Sequence, residues 1–263
     1  MRRFSADYLE ESRRGMWSER DALDALALPS RERVLDVGCG TGELAAVFAE
    51  ESDAEVLALD ADKTLLSHVD ADGRLLGDAT QLPLCEDSCD LVACQALLIN
   101  LPDPIAAVRE FARVSSDLVA AVEPDNAAVT VDSTVAAESA LTRRAREAYA
   151  AGVPTDVSLG ADAADVFERA GLEDVTTTRY DHVRAVEPPY DEDDLEAAAR
   201  KATGERLAEQ RPTLAAGGMD DDAYDDLRAE WREMGRAVVE QMRENAYERA
   251  ERVPFFVTVG RVP

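Results

Sequence analysis

The chain has 263 residues, of which 28 are basic and 55 acidic, so its formal net charge at pH 7 is −27. Binding to nucleic acid requires a basic surface, so we expect no nucleic-acid partner. No apolar run reaches the ~20 residues of a membrane-spanning helix, and no secretory leader pattern opens the sequence. We therefore expect a cytoplasmic protein without a membrane partner.

The cysteine spacing and the acidic composition indicate whether a metal is bound and in what environment the protein works. The four cysteines lie at positions 39, 85, 89 and 94 without a paired zinc-binding pattern, and the chain has only two histidines, so we predict no metal site. The acidic residues are spread along the whole chain, and only two lysines are present. This pattern is typical of adaptation to molar salt, where self-repulsion between surface charges is screened.

Residues 1–29 predict an N-terminal helical cap. Ser18 is a suitable N-cap for a helix that carries leucines 23, 26 and 28, and Pro29 would end that helix. Tyr8 and Arg14 precede this helix and could reach a ligand, although a role as ordinary surface residues is equally compatible with the sequence.

A glycine-rich turn follows the first predicted strand, Arg33–Val37. Glycines occupy positions 38, 40 and 42, and a helix opens near Thr41. Glycine permits positive φ and close approach of a ligand, and a helix N-terminus attracts an anion. Asp36 lies two residues before the first glycine, where it could hold an ammonium group or the turn itself.

The spacing in this turn argues against NAD. A dinucleotide fingerprint places a small residue where this chain has Glu43, whose side chain would crowd and repel a pyrophosphate. A ligand that combines a carboxylate, an amine and a nucleoside fits the turn better.

Two later acids follow predicted strands. Asp60 ends the strand Glu55–Asp60 at about the offset from the glycine turn at which a carboxylate meets ribose hydroxyls, although it could also cap the next helix. Asp78 follows a third strand and could accept a hydrogen bond from an adenine amino group.

The fourth strand, Cys89–Gln95, ends in a polar residue, and the fifth strand, Asp117–Val122, is followed by polar residues. Glu123, Asp125 and Asn126 come directly after the fifth strand, where ligands bind in open α/β sheets. They are the candidates for binding or activating a second substrate, the acceptor, although they could equally cap the following helix.

The last third of the chain predicts a sixth strand over Val175–Tyr180 and a closing strand over Phe255–Gly260. Between them, two polar helices are expected near Asp193–Gln210 and Asp222–Arg249. Such insertions often form lids, and His182 and Trp231 could line an acceptor pocket there.

These elements predict an α/β fold with a doubly wound, mostly parallel seven-stranded sheet, an antiparallel last strand and helical insertions that form a lid. The predicted domains are the N-terminal cap (1–29), a Rossmann-like domain (30–181 and 253–263) and an acceptor-binding insertion (182–252). The sequence leaves the oligomeric state open.

Four segments together resemble the class I S-adenosylmethionine-dependent methyltransferases. They are Asp36–Gly42, Leu59-Asp60, Gly77-Asp78-Ala79 with Leu82-Pro83, and Asp90–Val92 with Leu101–Pro104. The resemblance covers roughly residues 30 to 125. Together with the acidic composition, it predicts a methyltransferase from a halophilic archaeon.

The resemblance implies S-adenosylmethionine as the cofactor and assigns its parts to this chain. The glycine turn would hold the methionine part, the acid after strand two the ribose, the acid of Gly-Asp-Ala the adenine, and the residues after strand four would line the site. The implied cofactor-binding residues are Asp36, Gly38, Cys39, Gly40, Thr41, Gly42, Asp60, Ala61, Asp78, Ala79, Gln95 and Ala96. Many relatives carry a histidine after strand four, whereas this chain has none there, so no general base is assigned.

The predicted function is methyl transfer by in-line displacement to a small-molecule or protein acceptor. Two alternatives stay open at this point. A subunit that binds the cofactor without catalysis would share every motif, and a nucleotide-dependent oxidoreductase would share the sheet.

Overall fold

The computed structural model describes residues 5–263, without the side chain of Asp7, so residues 1–4 of the predicted cap lie outside it. The chain forms two compact units. The first comprises the described residues up to Asp125, Ser158–Tyr180 and Pro254–Pro263, and the second comprises Asn126–Val157 and Asp181–Val253. The sequence analysis assigns residues 126–157 to the Rossmann-like domain, whereas the structure groups them with the insertion.

The strands belong to one mostly parallel sheet. They are β1 (Arg33–Val37), β2 (Glu55–Asp60), β3 (Gly73–Leu76), β4 (Cys89–Gln95), β5 (Ser115–Pro124), β6 (Thr130–Ser133), β7 (Glu173–Val186) and β8 (Arg249–Arg261). In the first unit the order is β3-β2-β1-β4-β5-β8, in which β1 to β5 are parallel and β8 is antiparallel to β5. The predicted α/β class with an antiparallel last strand is confirmed.

Nine α-helices accompany the strands in the described part of the chain. They are α1 (Ala6–Arg13), α2 (Glu43–Glu51), α3 (Lys63–Leu66), α4 (Pro104–Val114), α5 (Ala136–Gly152), α6 (Ala163–Ala170), α7 (Glu192–Thr203), α8 (Glu205–Ala216) and α9 (Asp221–Arg243). Several begin at a side-chain cap: the Ser5 hydroxyl accepts from the amide of Tyr8 at α1, and Asp103 accepts from the amide of Ala106 at α4. Among residues 5–263, no helix is both long and apolar enough to cross a membrane.

The central strands of the first unit are buried along their length. Val34, Leu35 and Val37 of β1 and Leu91 and Val92 of β4 are fully inaccessible to solvent, as expected for parallel strands covered on both faces. Because β1, β2 and β4 run in parallel, their carboxyl ends meet at one edge of the sheet. The polar residues that end or follow these strands are thereby brought together.

The second unit is built around four helices. Helices α5, α7, α8 and α9 share a hydrophobic core that includes Leu207, Leu227 and Val238. In this unit β6 pairs with the first residues of β8, where Thr130 lies opposite Arg252.

Three expectations from the sequence are corrected. The helix expected from Ser18 is replaced by two short 3₁₀ helices, Asp21–Leu26 and Leu28–Ser30, because Ala27 between them adopts a left-handed conformation. The helix expected over 193–210 is two helices, because Gly204 has a φ of 66°. The strand β6 was not predicted, so the sheet has eight strands rather than seven.

Candidate functional site

The glycine turn between β1 and α2 has a backbone that only glycine adopts without strain. Gly38 and Gly42 have φ values of 69° and 90°. A Cβ atom at Gly38 would lie 2.7 Å from Leu97 Cδ1, and one at Gly42 would lie 2.9 Å from Val69 Cγ1. The amides of Gly38 and Cys39 both donate to the carbonyl of Leu59, at 2.7 and 3.0 Å. The turn is thereby tied to the end of β2.

Asp36 lies beneath this turn and is 1% exposed. Its Oδ2 accepts a hydrogen bond from the amide of Ala45 at 3.1 Å, and its Oδ1 has no hydrogen-bond partner among the described residues. Burial raises the pKa of Asp36 to about 7, against the opposing effects of the Arg13 charge and the Ala45 hydrogen bond. One oxygen therefore holds the first turn of α2, and the other is a buried acceptor that a ligand could satisfy.

Asp60, at the end of β2, connects the glycine turn to the following loop. Its Oδ2 accepts from the amide of Gly40 at 2.9 Å, and its Oδ1 accepts from the amide of Asp62 at 2.8 Å. The N-cap of α3 is Asp62 rather than Asp60, because the Asp62 carboxylate accepts from the amide of Thr64. An ionised carboxylate has about four acceptor positions, so these two bonds leave capacity for a diol. Ala61, next in the chain, is exposed.

The Gly-Asp-Ala segment is joined to the same edge by the amide of Gly77, which donates to the carbonyl of Asp60 at 3.1 Å. Asp78 is exposed, and its Oδ1 accepts from the amide and the hydroxyl of Thr80, both at 2.8 Å. These two hydrogen bonds lower the pKa of Asp78, so it is an ionised acceptor at neutral pH. Ala79 is buried in the core.

Gln95 ends β4 and is 2% exposed. Its side-chain oxygen accepts from the indole N–H of Trp17 at 3.0 Å, and its amide nitrogen donates to Met16 Sδ and to Glu43 Oε2, both at 3.3 Å. Both polar atoms of the Gln95 side chain are therefore hydrogen-bonded to residues of the N-terminal segment and of α2. Ala96 follows it with a φ of 50°.

Helix α1 covers the glycine turn. Leu9 and Arg13 of α1 line a surface pocket of about 290 Å³ together with Thr41, Gly42 and Glu43. The sequence analysis singles out Tyr8 and Arg14 in this segment, but Tyr8 is 42% exposed, and neither residue lines the pocket.

Arg13 is a site residue that the sequence analysis did not select. Its Nε lies 4.0 Å from Glu43 Oε2, and burial raises the pKa of Glu43 to about 7 although Arg13 and Gln95 both lower it. The signal that could have found Arg13 is its spacing of four from Leu9, which places both residues on one face of a helix. The pocket thus contains one guanidinium group next to a partly buried acid.

The three acceptor-side candidates have different surroundings. Glu123 is fully buried, and its carboxylate accepts hydrogen bonds from backbone amides of the segment after β4. The amide of Asp125 donates to the carbonyl of Pro254 at 2.9 Å. Asn126 belongs to the second unit, where its Nδ2 donates to the carbonyl of Val157 at 2.5 Å.

The two candidates in the insertion are also buried within the second unit. His182 is 2% exposed, and Trp231 is 8% exposed in the core that it shares with Leu227 and Met234. Burial gives Trp231 a clear packing role, and acceptor binding by these two residues stays a prediction.

Comparison with known proteins finds sequence similarity in one part of the chain. Residues 35–117 match the family model described as a methyltransferase domain. Methyltransferase GfsG of Streptomyces halstedii is 30% identical over 125 residues, which cover 38% of this chain and 45% of that protein. A demethylmenaquinone methyltransferase of Renibacterium salmoninarum is 33% identical over 114 residues, which cover 41% of this chain and 47% of that protein. The matched regions thus span less than half of each of these relatives.

Solved structures extend the similarity in fold to most of the chain. A protein from Bacillus halodurans, described as a methyltransferase, superposes with a TM-score of 0.53 at 15% identity and covers 93% of this chain and 100% of its own. The YcgJ protein of Bacillus subtilis gives a TM-score of 0.50 at 16% identity, with 92% and 98% coverage. Residues 35–117 therefore resemble a methyltransferase domain in sequence, and most of the chain resembles these solved structures in fold alone.

Proposed function

We propose that this chain, whose residues 35–117 match the model of a methyltransferase domain, transfers the methyl group of S-adenosylmethionine to a small-molecule or protein acceptor by in-line displacement. The observation that carries the proposal is the arrangement of Asp36 and Asp60 around the glycine turn. Asp36 has a buried oxygen without a partner, and Asp60 holds the amide of Gly40. Together they provide acceptors for an ammonium group and for ribose hydroxyls at one place.

The remaining groups of the first unit also fit this cofactor. Arg13 provides a positive charge beside the turn, which suits the carboxylate of the methionine part. Asp78 is an ionised acceptor in the segment joined to the end of β2, which suits the adenine amino group. The first unit thus offers an opposite charge or a hydrogen-bond partner for the ammonium group, the carboxylate, the ribose hydroxyls and the adenine amino group of the cofactor.

When bound, S-adenosylmethionine supplies a methyl group on a positively charged sulfur, which is already a strong electrophile. The task of the protein is then to align the acceptor with this methyl group and to exclude water, and such positioning can lower the barrier by roughly 7–11 kcal/mol. Helix α1 and the buried Trp17 cover the carboxyl edge of the sheet by contacts with the glycine turn and Gln95. They are the groups that would exclude water.

The acceptor is proposed to be one that needs no strong base from the protein. Gln95, at the end of β4, carries an amide that does not titrate, and its polar atoms are bonded to Trp17, Met16 and Glu43. An acceptor that arrives ionised, or as a neutral amine, would react without a protein base. Because one relative is a demethylmenaquinone methyltransferase, a demethylated naphthoquinol is included in the acceptor panel below.

The first test is titration calorimetry of the wild-type chain with S-adenosylmethionine and, separately, with NAD. Binding of the first ligand alone is expected, and the proposal is wrong if NAD binds instead or if neither ligand binds. A panel of naphthoquinols, phenols, amines and peptides is then screened for release of S-adenosylhomocysteine. Binding without release from any acceptor would favour the subunit that binds the cofactor without catalysis.

A further inference from the structure

Three consecutive backbone amides point at one buried carboxylate, that of Glu123 at the end of β5. Glu123 Oε1 accepts from the amides of Leu97 and Leu98, at 3.0 and 2.8 Å, and Oε2 accepts from the amide of Ile99 at 3.3 Å. The Cys94 thiol lies 3.8 Å from Oε1. Both carboxylate oxygens are therefore occupied, and the side chain is fully inaccessible to solvent.

The segment held in this way is the loop after β4, residues 96–100. It starts at Ala96, whose amide donates to the carbonyl of Val122 at 2.8 Å and whose φ is 50°. It ends at Asn100, whose Nδ2 donates back to the carbonyl of Ala96 at 2.7 Å. The loop is thus closed on itself and attached to β5 by Glu123 and Val122.

Leu97 connects this loop to the glycine turn. Its side chain packs so closely on Gly38 that a Cβ atom there would lie 2.7 Å from Leu97 Cδ1 and 3.1 Å from Cδ2. A shift of the loop would therefore move the surface on which the first glycine of the turn rests.

We propose that Glu123 is a positioning residue for the cofactor: its carboxylate fixes the loop 96–100 so that Leu97 supports the glycine turn in its binding conformation. This inference rests on the proposed function. It also replaces a direct role of Glu123 toward the acceptor, because a carboxylate that is fully buried and bonded to three amides makes no contact with a substrate.

The carboxylate is chemically suited to this task. A row of adjacent amides forms a binding site for a negative charge. Burial raises the pKa of Glu123 to about 7, and the hydrogen bonds from the amides of Leu98, Ile99 and Leu97 oppose this rise by favouring the ionised form. A glutamine in this place would have the same shape, but its NH₂ group would face an amide N–H instead of accepting from it. Glu123→Gln therefore perturbs the loop with little change in volume.

The chain offers a matched control in Asp90, at the amino end of β4. Asp90 accepts from the amides of Glu32 and Arg33, at 3.0 and 2.9 Å, so Asp90→Asn also removes a carboxylate acceptor from backbone amides. Asp90 lies at the amino end of the parallel strands, whereas the glycine turn follows the carboxyl end of β1. The Asp90→Asn substitution therefore acts at the opposite edge of the sheet from the turn.

The experiment compares wild type, Glu123→Gln and Asp90→Asn by calorimetric titration with S-adenosylhomocysteine and by hydrogen exchange with mass spectrometry. Glu123→Gln is expected to speed exchange in the peptide that contains residues 97–99 and to weaken binding about tenfold or more, the effect of losing a charged acceptor of buried amides. Asp90→Asn is expected to leave both readouts at the wild-type level.

Wild-type affinity in a folded Glu123→Gln variant would overturn the inference and leave the proposed function intact. Equal losses in Glu123→Gln and Asp90→Asn would also overturn it, because the effect would then be general destabilisation. If Glu123→Gln does not fold, Leu97→Ala tests the same connection without touching the carboxylate, and unchanged binding in that variant contradicts the role of Leu97. A wild type that does not bind S-adenosylhomocysteine instead contradicts the proposed function itself.

Discussion

Asp60 shows how a single side chain can serve the fold and the proposed ligand together. Its carboxylate bonds to the amides of Gly40 and Asp62, so it shapes the glycine turn before any ligand arrives. We expect Asp60→Ala to weaken binding of S-adenosylmethionine by about 1–3 kcal/mol, since buried hydroxyls and the Gly40 amide lose their acceptor. Titration calorimetry in molar potassium chloride measures this change.

The control for Asp60 is its neighbour Asp62, which caps α3 by accepting from the amide of Thr64 at 2.8 Å. Asp62→Ala removes a cap, which costs about 0.5–2 kcal/mol of stability, but it removes no group assigned to the cofactor. Similar losses of affinity in both variants would show that Asp60 acts only through the local fold.

At the scale of elements, the N-terminal segment is attached to the first unit by contacts distant in sequence. Trp17 donates to Gln95, 78 residues away, and its ring stacks on Tyr180 with centroids 5.5 Å apart. The hydroxyl of Tyr180 donates to the carbonyl of Met16. Helix α1 is thereby held over the glycine turn, where Leu9 and Arg13 line the pocket.

This attachment predicts that cofactor binding protects the N-terminal segment. We expect trypsin to cleave after Arg13 and Arg14 when the segment opens, and a ligand that binds the closed form lowers the open population in proportion to its saturation. We expect S-adenosylhomocysteine to slow this cleavage, as followed by mass spectrometry of the released peptide. Cleavage at Arg243, at the end of α9 in the second unit, provides the internal reference. An equal slowing at both positions, or at neither, would contradict the role of α1 as a cover.

A second connection between elements is the buried ion cluster around Glu251 of β8. Its carboxylate accepts from Arg146 of α5 at 2.9 Å, from Arg249 at 3.1 Å, and from Arg184 of β7. Burial alone would raise the pKa of Glu251, but the guanidinium groups of Arg249, Arg184 and Arg146 lower it to about 2. The ionised form of Glu251 is therefore strongly favoured in the folded second unit.

The sign of the resulting pH dependence follows from this lowered pKa. Since the unfolded chain has the ordinary glutamate value of 4.5, the stabilisation by Glu251 is present above about pH 4.5 and is lost as the pH falls toward 2; its full size is about 3 kcal/mol. We expect the difference in urea midpoint between wild type and Glu251→Gln to be constant from pH 6 to 8 and to shrink below pH 5. A difference that stays constant on acidification would contradict this assignment.

At the scale of the whole molecule, the net charge of −27 acts on the stability of the compact state. Acidic side chains repel one another when unscreened, and the Debye length falls from ~30 Å at 0.01 M salt to ~3 Å at 1 M. We expect the melting temperature to rise when potassium chloride is increased from dilute to molar concentration. A melting temperature indifferent to potassium chloride would contradict adaptation to salt.

The amino-acid sequence by itself determined the class of fold and the place of the glycine turn. Buried parallel strands are continuous apolar runs, and a turn that requires positive φ requires glycine, so both features are written locally in β1, β2 and β4 and in Gly38 and Gly42. The order of the acids Asp36, Asp60 and Asp78 along the chain likewise indicated a nucleoside-containing ligand, because parallel strands bring their carboxyl ends to one edge. The cofactor itself was implied only by the resemblance to the class I methyltransferases.

Only the tertiary structure decided what the other polar residues do. The sequence could not distinguish an acceptor-binding Glu123 from one that holds backbone amides 24 to 26 residues away. Nor could it choose Arg13 over Arg14, since only the packing of α1 on the turn brings Arg13 to Glu43. Local patterns record which conformations a segment can adopt, whereas the partners of a charged side chain depend on which distant segments the fold brings within hydrogen-bond distance.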